Sequence, residues 1–234
     1  MLEKYASLYA RNSDFVGWLS IDALDISLPV VKGENNSKYL KTDFDGKKNK
    51  YGSLFVNASN NIDQLDMNTT IFGHNMKDSK MLGNLVYYRT VKGYQKAPVI
   101  EFNTIYADYK WKIFAVMLTN GEASGDRNYL FNYMFTNLSS ETALEEYLGE
   151  VKQRSLYYPE VDIALTDKLL TISTCTYDFD DARLVILARM VRPGESTSVS
   201  GTVYGNENPR YPQAYYDKQN LNNPYFYANR WLPS

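Results

Sequence analysis

Two β-prone runs near the carboxyl end, separated by a short acidic loop, constrain the fold of this chain more than any other feature. The first run is residues 170–175 (LTISTC), and the second begins at Arg183 and continues to residue 192. Two such runs joined by a short loop predict an antiparallel hairpin. The hairpin brings Arg183 back beside Cys175, which is the only cysteine of the chain.

The alternation of side chains along the first run indicates where the thiol points. Successive residues of a strand face opposite sides of the sheet, so Thr171, Ser173 and Cys175 share one face. Leu170 and Ile172 lie on the other face. A thiol among small polar side chains suits a cleft better than a core, and a neighbouring guanidinium favours the thiolate. Cys175 is therefore a candidate nucleophile.

Short β-prone runs recur along the rest of the chain, with a few helical patterns between them. The 21 tyrosines favour a β-rich protein, because aromatic side chains fit pleated, half-buried surfaces. The pattern predicts a mainly β fold, either a barrel or a curled sheet. The predicted strands are residues 19–21, 26–31, 51–57, 68–74, 99–102 and 110–119, and the predicted helices are residues 2–12, 81–91 and a stripe near 140–154.

Composition excludes several classes of function. The net charge of −2, without a basic cluster, gives no electrostatic basis for binding nucleic acid. No apolar run is long enough to cross a membrane, and residues 1–5 do not resemble a signal peptide. One cysteine and one histidine cannot form a zinc site built mainly from those ligands, and the acidic loop lacks the spacing of a calcium-binding loop. We therefore expect neither a zinc site nor a calcium site.

The chain divides into three predicted parts: a helical segment at 1–14, a β-rich domain at 15–192 and an extension at 193–234. Five of the eight prolines fall in the extension, together with six tyrosines and little aliphatic content. No helical or strand period is visible there. We expect the extension to pack over the surface through its aromatic side chains or to form a partly mobile appendage.

A thiol nucleophile requires a proton donor for the leaving group and a positive partner for the oxyanion. His74 is the only histidine, and Arg183 can supply the positive charge. Each residue also has a purely structural interpretation. Cys175 could be a small buried hydrophobe, His74 a satisfied polar side chain, and Arg183 the partner of Asp180 or Asp181 in a surface ion pair. The residues alone leave these alternatives open.

Several segments resemble a known family. Residues 171–175 (TISTC) resemble the TLxTC signature of sortases, with isoleucine in place of the usual leucine. The resemblance runs in the correct order from about residue 12 to residue 192, while the extension has no counterpart in that pattern. The other matching segments are 71–78 (IFGHNMKD) with 81–85 (MLGNL) for the class B histidine segment, 12–19, 29–31 and 52–55 for its amino-terminal half, and 174–183 (TCTYDFDDAR) for the clostridial type.

The resemblance implies a sortase β-barrel with amino-terminal helices and an inserted helix near 140–154. It implies a cysteine transpeptidase in which the Cys175 thiolate attacks a threonine carbonyl within an NPQTN-like sorting motif. His74 would then protonate the departing amine, and Arg183 would hold the oxyanion with help from the backbone N–H near Thr176. Ser173 and Thr174 would border the substrate groove, and no metal or organic cofactor would be required.

By the same resemblance, the partners are surface proteins that carry sorting signals and an acceptor amine from a peptidoglycan cross-bridge or a pilin lysine. The expected location is the cell surface, with membrane attachment only through an amino-terminal anchor that is not in this chain. Residues 208–211 (NPRY) and 212–214 (PQA) faintly resemble a sorting motif, so the extension could instead lie across the groove as a lid. Two other functions stay open, namely a secreted β-rich cell-wall binding module and a plain cysteine peptidase.

Overall fold

The computed structural model describes residues 1–199 and 201–232. Its centre is a closed barrel of eight strands in the order β1-β2-β3-β4-β8-β9-β6-β5. A two-stranded sheet, β7 with β10, lies apart from the barrel. The strands are β1 (Phe15–Ile21), β2 (Ile26–Val31), β3 (Leu54–Val56), β4 (Asn68–Gly73), β5 (Val99–Thr104), β6 (Lys110–Asn120), β7 (Tyr157–Tyr158), β8 (Leu169–Cys175), β9 (Ala182–Met190) and β10 (Tyr204–Gly205).

The helices are short except for one on the outside of the barrel. The α-helices are α1 (Ala6–Arg11), α2 (Val91–Lys96), α3 (Glu141–Arg154) and α4 (Gln213–Gln219), and the 3₁₀ helices are Glu3–Tyr5, Asp22–Leu24, Lys38–Leu40, Gly83–Arg89 and Ala123–Asp126. Among the described residues, no helix combines the length and the apolar character needed to cross a bilayer.

The mainly β architecture expected from the sequence is confirmed, and the differences from expectation are local. The strand predicted at 51–57 is only Leu54–Val56, because Gly52 adopts a positive φ of 58° that interrupts extended backbone before it. The helix predicted at 81–91 is a 3₁₀ helix at Gly83–Arg89. It is followed by α2, which the sequence analysis missed and which begins where the Thr90 side chain accepts a hydrogen bond from the Gly93 N–H.

The hydrophobic residues form two large layers. One fills the barrel interior and includes Leu170 and Ile172 from β8. The other lies outside β6, β8 and β9, where α3 covers the barrel with Leu144, Tyr147 and Val151. The Ser140 side chain caps α3 by accepting a hydrogen bond from the Ala143 N–H. Helix α3 thus forms a buried lateral cover over the strands that carry the candidate site.

The extension after β9 packs along the surface and does not cross the cavity that Cys175 lines. Strand β10 pairs with β7, and Arg210, only 6% exposed, donates hydrogen bonds to Glu150 and Gln153 of α3. No described residue of the extension lines that cavity. The structure agrees with the prediction that the extension packs on the surface, and it disagrees with the alternative that the extension forms a lid across the groove.

Glu195, just after β9, neutralises two cations at the bottom of the barrel. It accepts hydrogen bonds from both terminal nitrogens of Arg189 at 2.7 Å and from Lys112 Nζ at 2.6 Å. Hydrogen bonds from Arg189, which is 1% exposed, and from Lys112 hold the pKa of the Glu195 carboxyl well below its usual range. The carboxylate is therefore a stabilising element that depends on its charge.

We expect Glu195→Gln to lower the free energy of unfolding at pH 7 by about 3 kcal/mol, the lower end of the cost of breaking a buried ion pair. Lys112 loses its carboxylate partner, and buried Arg189 keeps only the exposed carboxylate of Asp162 at 3.6 Å. A carboxyl whose pKa is lowered by folding stabilises the protein above its unfolded pKa of about 4.3, and this contribution is lost as the pH falls. Urea denaturation should therefore show the difference shrinking below about pH 4. Exposed Glu146→Gln is the control, and equal stability of the Glu195 variant and the parent at pH 7 would contradict the prediction.

Candidate active site

Three neighbouring strands bring the candidate catalytic residues to one edge of the barrel. Strands β4 and β8 are parallel, with Gly73 paired to Thr174, so the next residues, His74 and Cys175, leave the two strands side by side. Strands β8 and β9 are antiparallel, with Cys175 paired to Arg183. Adjacent strands lie only about 4.8 Å apart. The sheet register therefore places His74 and Cys175 close together in space, although they lie far apart in the sequence.

The position of Cys175 at the end of β8 explains why the thiol is accessible, since every earlier residue of the strand is buried. The interior layer takes Leu170 and Ile172, and the residues between them face outward. Thr171 donates a hydrogen bond from its hydroxyl to Asn68 Oδ1 at 2.8 Å and is buried. Cys175 is the last residue of the strand, and it is a free and exposed cysteine. The interpretation of Cys175 as a buried hydrophobe is therefore wrong.

The guanidinium of Arg183 is held by backbone rather than by a carboxylate. Its Nη1 donates hydrogen bonds to the carbonyl oxygens of Asp181 and Ala182, both at 3.1 Å. Among the residues described, it has no salt bridge, so the ion pair considered with Asp180 or Asp181 is not formed. The acidic loop uses a different pair, with Asp178 bound to Arg89 at 2.5 Å. The positive charge of Arg183 is thus left without an internal counterion at the site.

His74 is half-buried and is oriented through one ring nitrogen. Its Nε2 lies 2.6 Å from the carbonyl oxygen of Leu40. Because a carbonyl oxygen only accepts hydrogen bonds, Nε2 carries the proton in this contact. The other ring nitrogen, Nδ1, is then the atom that remains for exchanging a proton with a reacting group.

The loop that leaves Cys175 is fixed by polar contacts. Asn75 donates a hydrogen bond from Nδ2 to the Cys175 carbonyl at 2.9 Å, and the Tyr177 hydroxyl donates to the Asn75 carbonyl at 3.1 Å. The Thr176 N–H donates to the Ala182 carbonyl at 3.0 Å, and its hydroxyl donates to Asp178 at 2.6 Å. The Thr176 amide is therefore already engaged, which removes the physical basis for expecting it to share an oxyanion.

A cavity of about 230 Å³ joins these residues. This volume is below the 300–1,000 Å³ of pockets that enclose drug-sized ligands. Ser173 and Thr174 line the cavity, and Thr176 does not. The cavity is lined by Asn36, Leu40, Phe55, Phe72, Gly73, His74, Gly121, Tyr133, Met134, Ser173, Thr174, Cys175 and Arg183.

Tyr133 is a lining residue that the sequence analysis missed. Its hydroxyl lies 3.1 Å from the hydroxyl of Ser173, and burial raises the pKa of the Tyr133 phenol, which keeps it neutral. The signal in the sequence was the alternation of aromatic residues over 129–135 (YLFNYMF), which is typical of an extended segment with one buried face. Asn75 was also missed as a site residue, although it directly follows His74.

Comparison with known proteins identifies the family of this chain. The sortase domain model matches residues 19–191, which include the whole constellation described above. The chain belongs to the sortase family. Sortase B of Listeria monocytogenes serovar 1/2a is 32% identical over 191 residues, which cover 81% of this chain and 74% of the relative.

Solved structures give the same result for the fold. An X-ray structure of Clostridium perfringens sortase B has a TM-score of 0.72 at 28% identity, covering 80% of this chain and 98% of that chain. A Staphylococcus aureus sortase B–substrate complex also has a TM-score of 0.72 at 28% identity, covering 81% of this chain and 85% of that chain. The barrel of this sortase is therefore the class B sortase barrel, as the sequence resemblance implied.

This class B sortase is a cysteine transpeptidase that acts on the sorting motifs of surface proteins. Its substrates include peptides that carry a sorting signal, and sortases act at the surface of Gram-positive bacteria. The family match ends at residue 191, so the extension lies outside the matched domain.

Proposed function

We propose that Cys175 is the nucleophile, His74 the proton donor and Arg183 the oxyanion partner of this transpeptidase. The proposal rests on one observation. Three adjacent strands bring to one cavity an exposed thiol, an imidazole and a guanidinium without an internal counterion. The Cys175 thiolate attacks the carbonyl carbon of a threonine in the sorting motif, forming a carbon–sulfur bond and a tetrahedral oxyanion. The scissile carbon–nitrogen bond then breaks to give a thioacyl-enzyme.

Protonated His74 gives its proton to the departing amine, which would otherwise leave as a high-energy anion. In the second half of the reaction an acceptor amine attacks the thioacyl carbon, loses its proton to His74 and releases the Cys175 thiolate. The contact between Nε2 and the Leu40 carbonyl supports Nδ1 as the atom that exchanges both protons. The same side chain thus serves as acid and then as base.

The Arg183 guanidinium stabilises the oxyanion in both halves of the reaction, because a fixed cation lowers the energy of developing negative charge. The two backbone carbonyls that hold it support a fixed orientation. Thr176 has no part in this proposal, since its N–H is already bonded to Ala182. Ser173 and Thr174 border the groove and contribute to binding the motif, with the Ser173 hydroxyl held by Tyr133.

We further propose an NPQTN-like sorting motif as the donor and an amine of a peptidoglycan cross-bridge or a pilin lysine as the acceptor. The likeness to class B sortases supports the donor. We propose an extracytoplasmic location and the division into a helical segment at 1–14, a catalytic barrel at 15–192 and an extension at 193–234. The start of β1 at Phe15 and the match ending at residue 191 support these boundaries.

The two other functions considered from the sequence make different demands on the site. A binding module would leave Cys175 buried and His74 remote, and the exposed thiol with a shared cavity argues against it. A plain cysteine peptidase would form the same thioacyl intermediate and pass it to water. Acceptance of an amine therefore separates peptidase from transpeptidase.

The test is intact-mass spectrometry of the protein mixed with an NPQTN-containing peptide, with and without a glycine oligomer or a lysine-containing pilin-type peptide as acceptor. We expect an acyl adduct on Cys175 that decays faster when the acceptor is present, with a ligated product. A scrambled peptide is the control. No adduct with the NPQTN peptide would overturn the donor assignment, and decay only to hydrolysed peptide would favour the peptidase.

Gly121 provides a test of the Arg183 assignment that leaves the arginine in place. A methyl group added at Gly121 would lie 2.5 Å from Arg183 Cζ, so the guanidinium must move. We expect Gly121→Ala to lower kcat about 100-fold, the typical cost of misplacing a reacting group by about 1 Å. Arg183→Lys keeps the positive charge but loses the planar guanidinium with its forked N–H donors, and it should show a comparable defect.

The matched control for this substitution is Gly149→Ala, because an added methyl at Gly149 meets nothing within 4 Å. Steady-state rates of peptide transfer, with thermal melting as a check on folding, provide the measurement. Parent-like turnover of Gly121→Ala would mean that the position of the guanidinium does not matter to the reaction.

A further inference from the structure

One wall of the substrate groove has no regular secondary structure. Residues 127–135 lead from the end of β6 toward α3, and Tyr133 and Met134 of this wall segment line the groove. The backbone of the segment is not part of a strand ladder. Its position depends on the packing of its buried rings, such as those of Tyr129 and Phe131. It also depends on hydrogen bonds from the side chains of Asn120 and Asn68 to its backbone carbonyls.

The end of the carboxyl-terminal extension covers the buried side of this wall segment. The Trp231 ring lies 5.8 Å from the ring of Phe131 and 5.6 Å from that of Tyr147, measured between centroids. The Tyr129 hydroxyl donates a hydrogen bond to the Trp231 carbonyl at 2.9 Å. Trp231 is 8% exposed, although it lies almost at the carboxyl end of the chain. The extension thus completes the second hydrophobic layer.

Polar contacts connect the extension to the beginning of the same wall segment. Arg230 donates hydrogen bonds to the carbonyls of Asp126 and Arg127 at 2.9 and 2.8 Å. In return, Arg127 donates to the Phe226 carbonyl at 2.6 Å and stacks over the Phe226 ring at 3.7 Å. The backbone N–H of Gln213 donates to Asp126 Oδ1 at 3.0 Å. These bonds attach the extension to Arg127 of the wall segment and to Asp126, the residue that directly precedes it.

The extension also contacts the loop between the nucleophile and the arginine. Tyr215 of α4 packs edge-on against Phe179, with ring centroids 6.4 Å apart, and stacks on Tyr211 at 3.9 Å. Phe179 is buried, and it lies between Cys175 and Arg183 in the sequence. The extension therefore touches both irregular segments that flank the groove, while no described residue of it enters the groove.

We propose that the carboxyl-terminal extension is a brace that positions the wall of the substrate groove, with Trp231 as its principal positioning residue. The sortase domain match ends at residue 191, so this support comes from outside the matched domain. The inference rests on the proposed function for its effect on catalysis. Fixing the wall before the peptide arrives removes the entropic cost of ordering it during binding.

The effect falls on substrate binding more than on the chemical step. Cys175, Arg183 and the strand leading to His74 are held by the barrel ladder. The wall segment lies outside that ladder and is held by hydrogen bonds from Asn68 and Asn120 and by the packing of its rings against the extension. We expect Trp231→Ala in the 234-residue chain to raise KM for an NPQTN-containing peptide about tenfold, with kcat changed less than about twofold. Trp231→Phe should restore most of the affinity, because a phenyl ring keeps the stacking on Phe131.

Hydrogen–deuterium exchange gives a readout that does not depend on turnover. Amides of the wall segment, residues 127–135, should exchange faster in Trp231→Ala, while those of β8 and β9 stay protected. Leu232→Ala is the matched control, since Leu232 adjoins Trp231 and is 72% exposed. An unproductive parent enzyme with faster exchange in Trp231→Ala would refute the proposed function and leave the brace supported.

Unchanged exchange in the wall segment of Trp231→Ala would overturn the brace, and so would an unchanged KM or a defect confined to kcat. If Trp231→Ala does not fold, Arg230→Ala is the deciding variant. It removes the two hydrogen bonds to the carbonyls of Asp126 and Arg127 and the contact of the guanidinium with the Tyr129 ring, and it leaves the buried Trp231 in place. In that variant, faster exchange over 127–135 with a KM raised about threefold supports the proposal, and parent-like values refute it.

Discussion

Cys175→Ala is expected to lower the rate of peptide transfer by about 10⁴-fold or more, because removing a covalent nucleophile eliminates the intermediate itself. The fold should be unaffected. Cys175 is exposed at the end of β8, and surface substitutions of this kind change the unfolding free energy by less than about 0.5 kcal/mol. The measurement is transfer of a labelled sorting peptide to an amine, together with urea denaturation of both proteins.

The composition of the chain makes this experiment clean. Cys175 is the only cysteine, so any acyl adduct or alkylated thiol found by intact mass is on that residue. Asp180→Ala is the matched control, since Asp180 is exposed in the loop between Cys175 and Arg183 and forms no pair with the arginine. Transfer by Cys175→Ala at a substantial fraction of the parent rate would falsify the thioacyl mechanism.

His74→Ala is expected to reduce transfer by about 10²–10⁴-fold, the contribution typical of a positioned acid and base. Without the imidazole, the leaving amine must take its proton from water, and the incoming amine must lose its proton to water. The defect should therefore appear in both acylation and deacylation, which single-turnover measurements of adduct formation and decay separate. A loss confined to one of the two steps would contradict the double role.

Lys77→Ala is the matched control for this variant. Lys77 is exposed in the segment after His74, and it contacts the ring of Tyr177 rather than the cavity. Alkylation of Cys175 by iodoacetamide should go to completion in both variants, since the thiol stays exposed. If His74→Ala transfers peptide at the same rate as Lys77→Ala, the imidazole has only a structural role.

The sequence predicted the part of the site that strand periodicity governs. The hairpin, the pairing of Cys175 with Arg183 and the outward thiol all follow from alternation and a short loop, and the structure confirms them. The proximity of His74 did not follow from any local pattern. It depends on the parallel pairing of β4 with β8, a long-range choice that alternation in either strand leaves undetermined.

The positions of the irregular segments of the site could not be predicted from the periodicity of the sequence. The wall residue Tyr133 is placed by tertiary contacts, including hydrogen bonds from the Asn68 side chain to the carbonyls of Tyr133 and Phe135. The docking of Trp231 depends on rings contributed by distant segments. Such contacts leave no period in the sequence, because their spacing is set by the fold rather than by the backbone repeat.

The direct pairing of Cys175 with Arg183 has an evolutionary consequence. The backbone positions of Cys175 and Arg183 are set by one rung of a ladder. The loop of residues 177–180 lies beyond that rung and does not include the carbonyls of Asp181 and Ala182 that hold the guanidinium. Insertions, deletions or new side chains in this loop can therefore alter the approach of a peptide without separating the two reactive groups. Diversification of specificity among such enzymes can thus proceed at the hairpin tip while the chemistry stays unchanged.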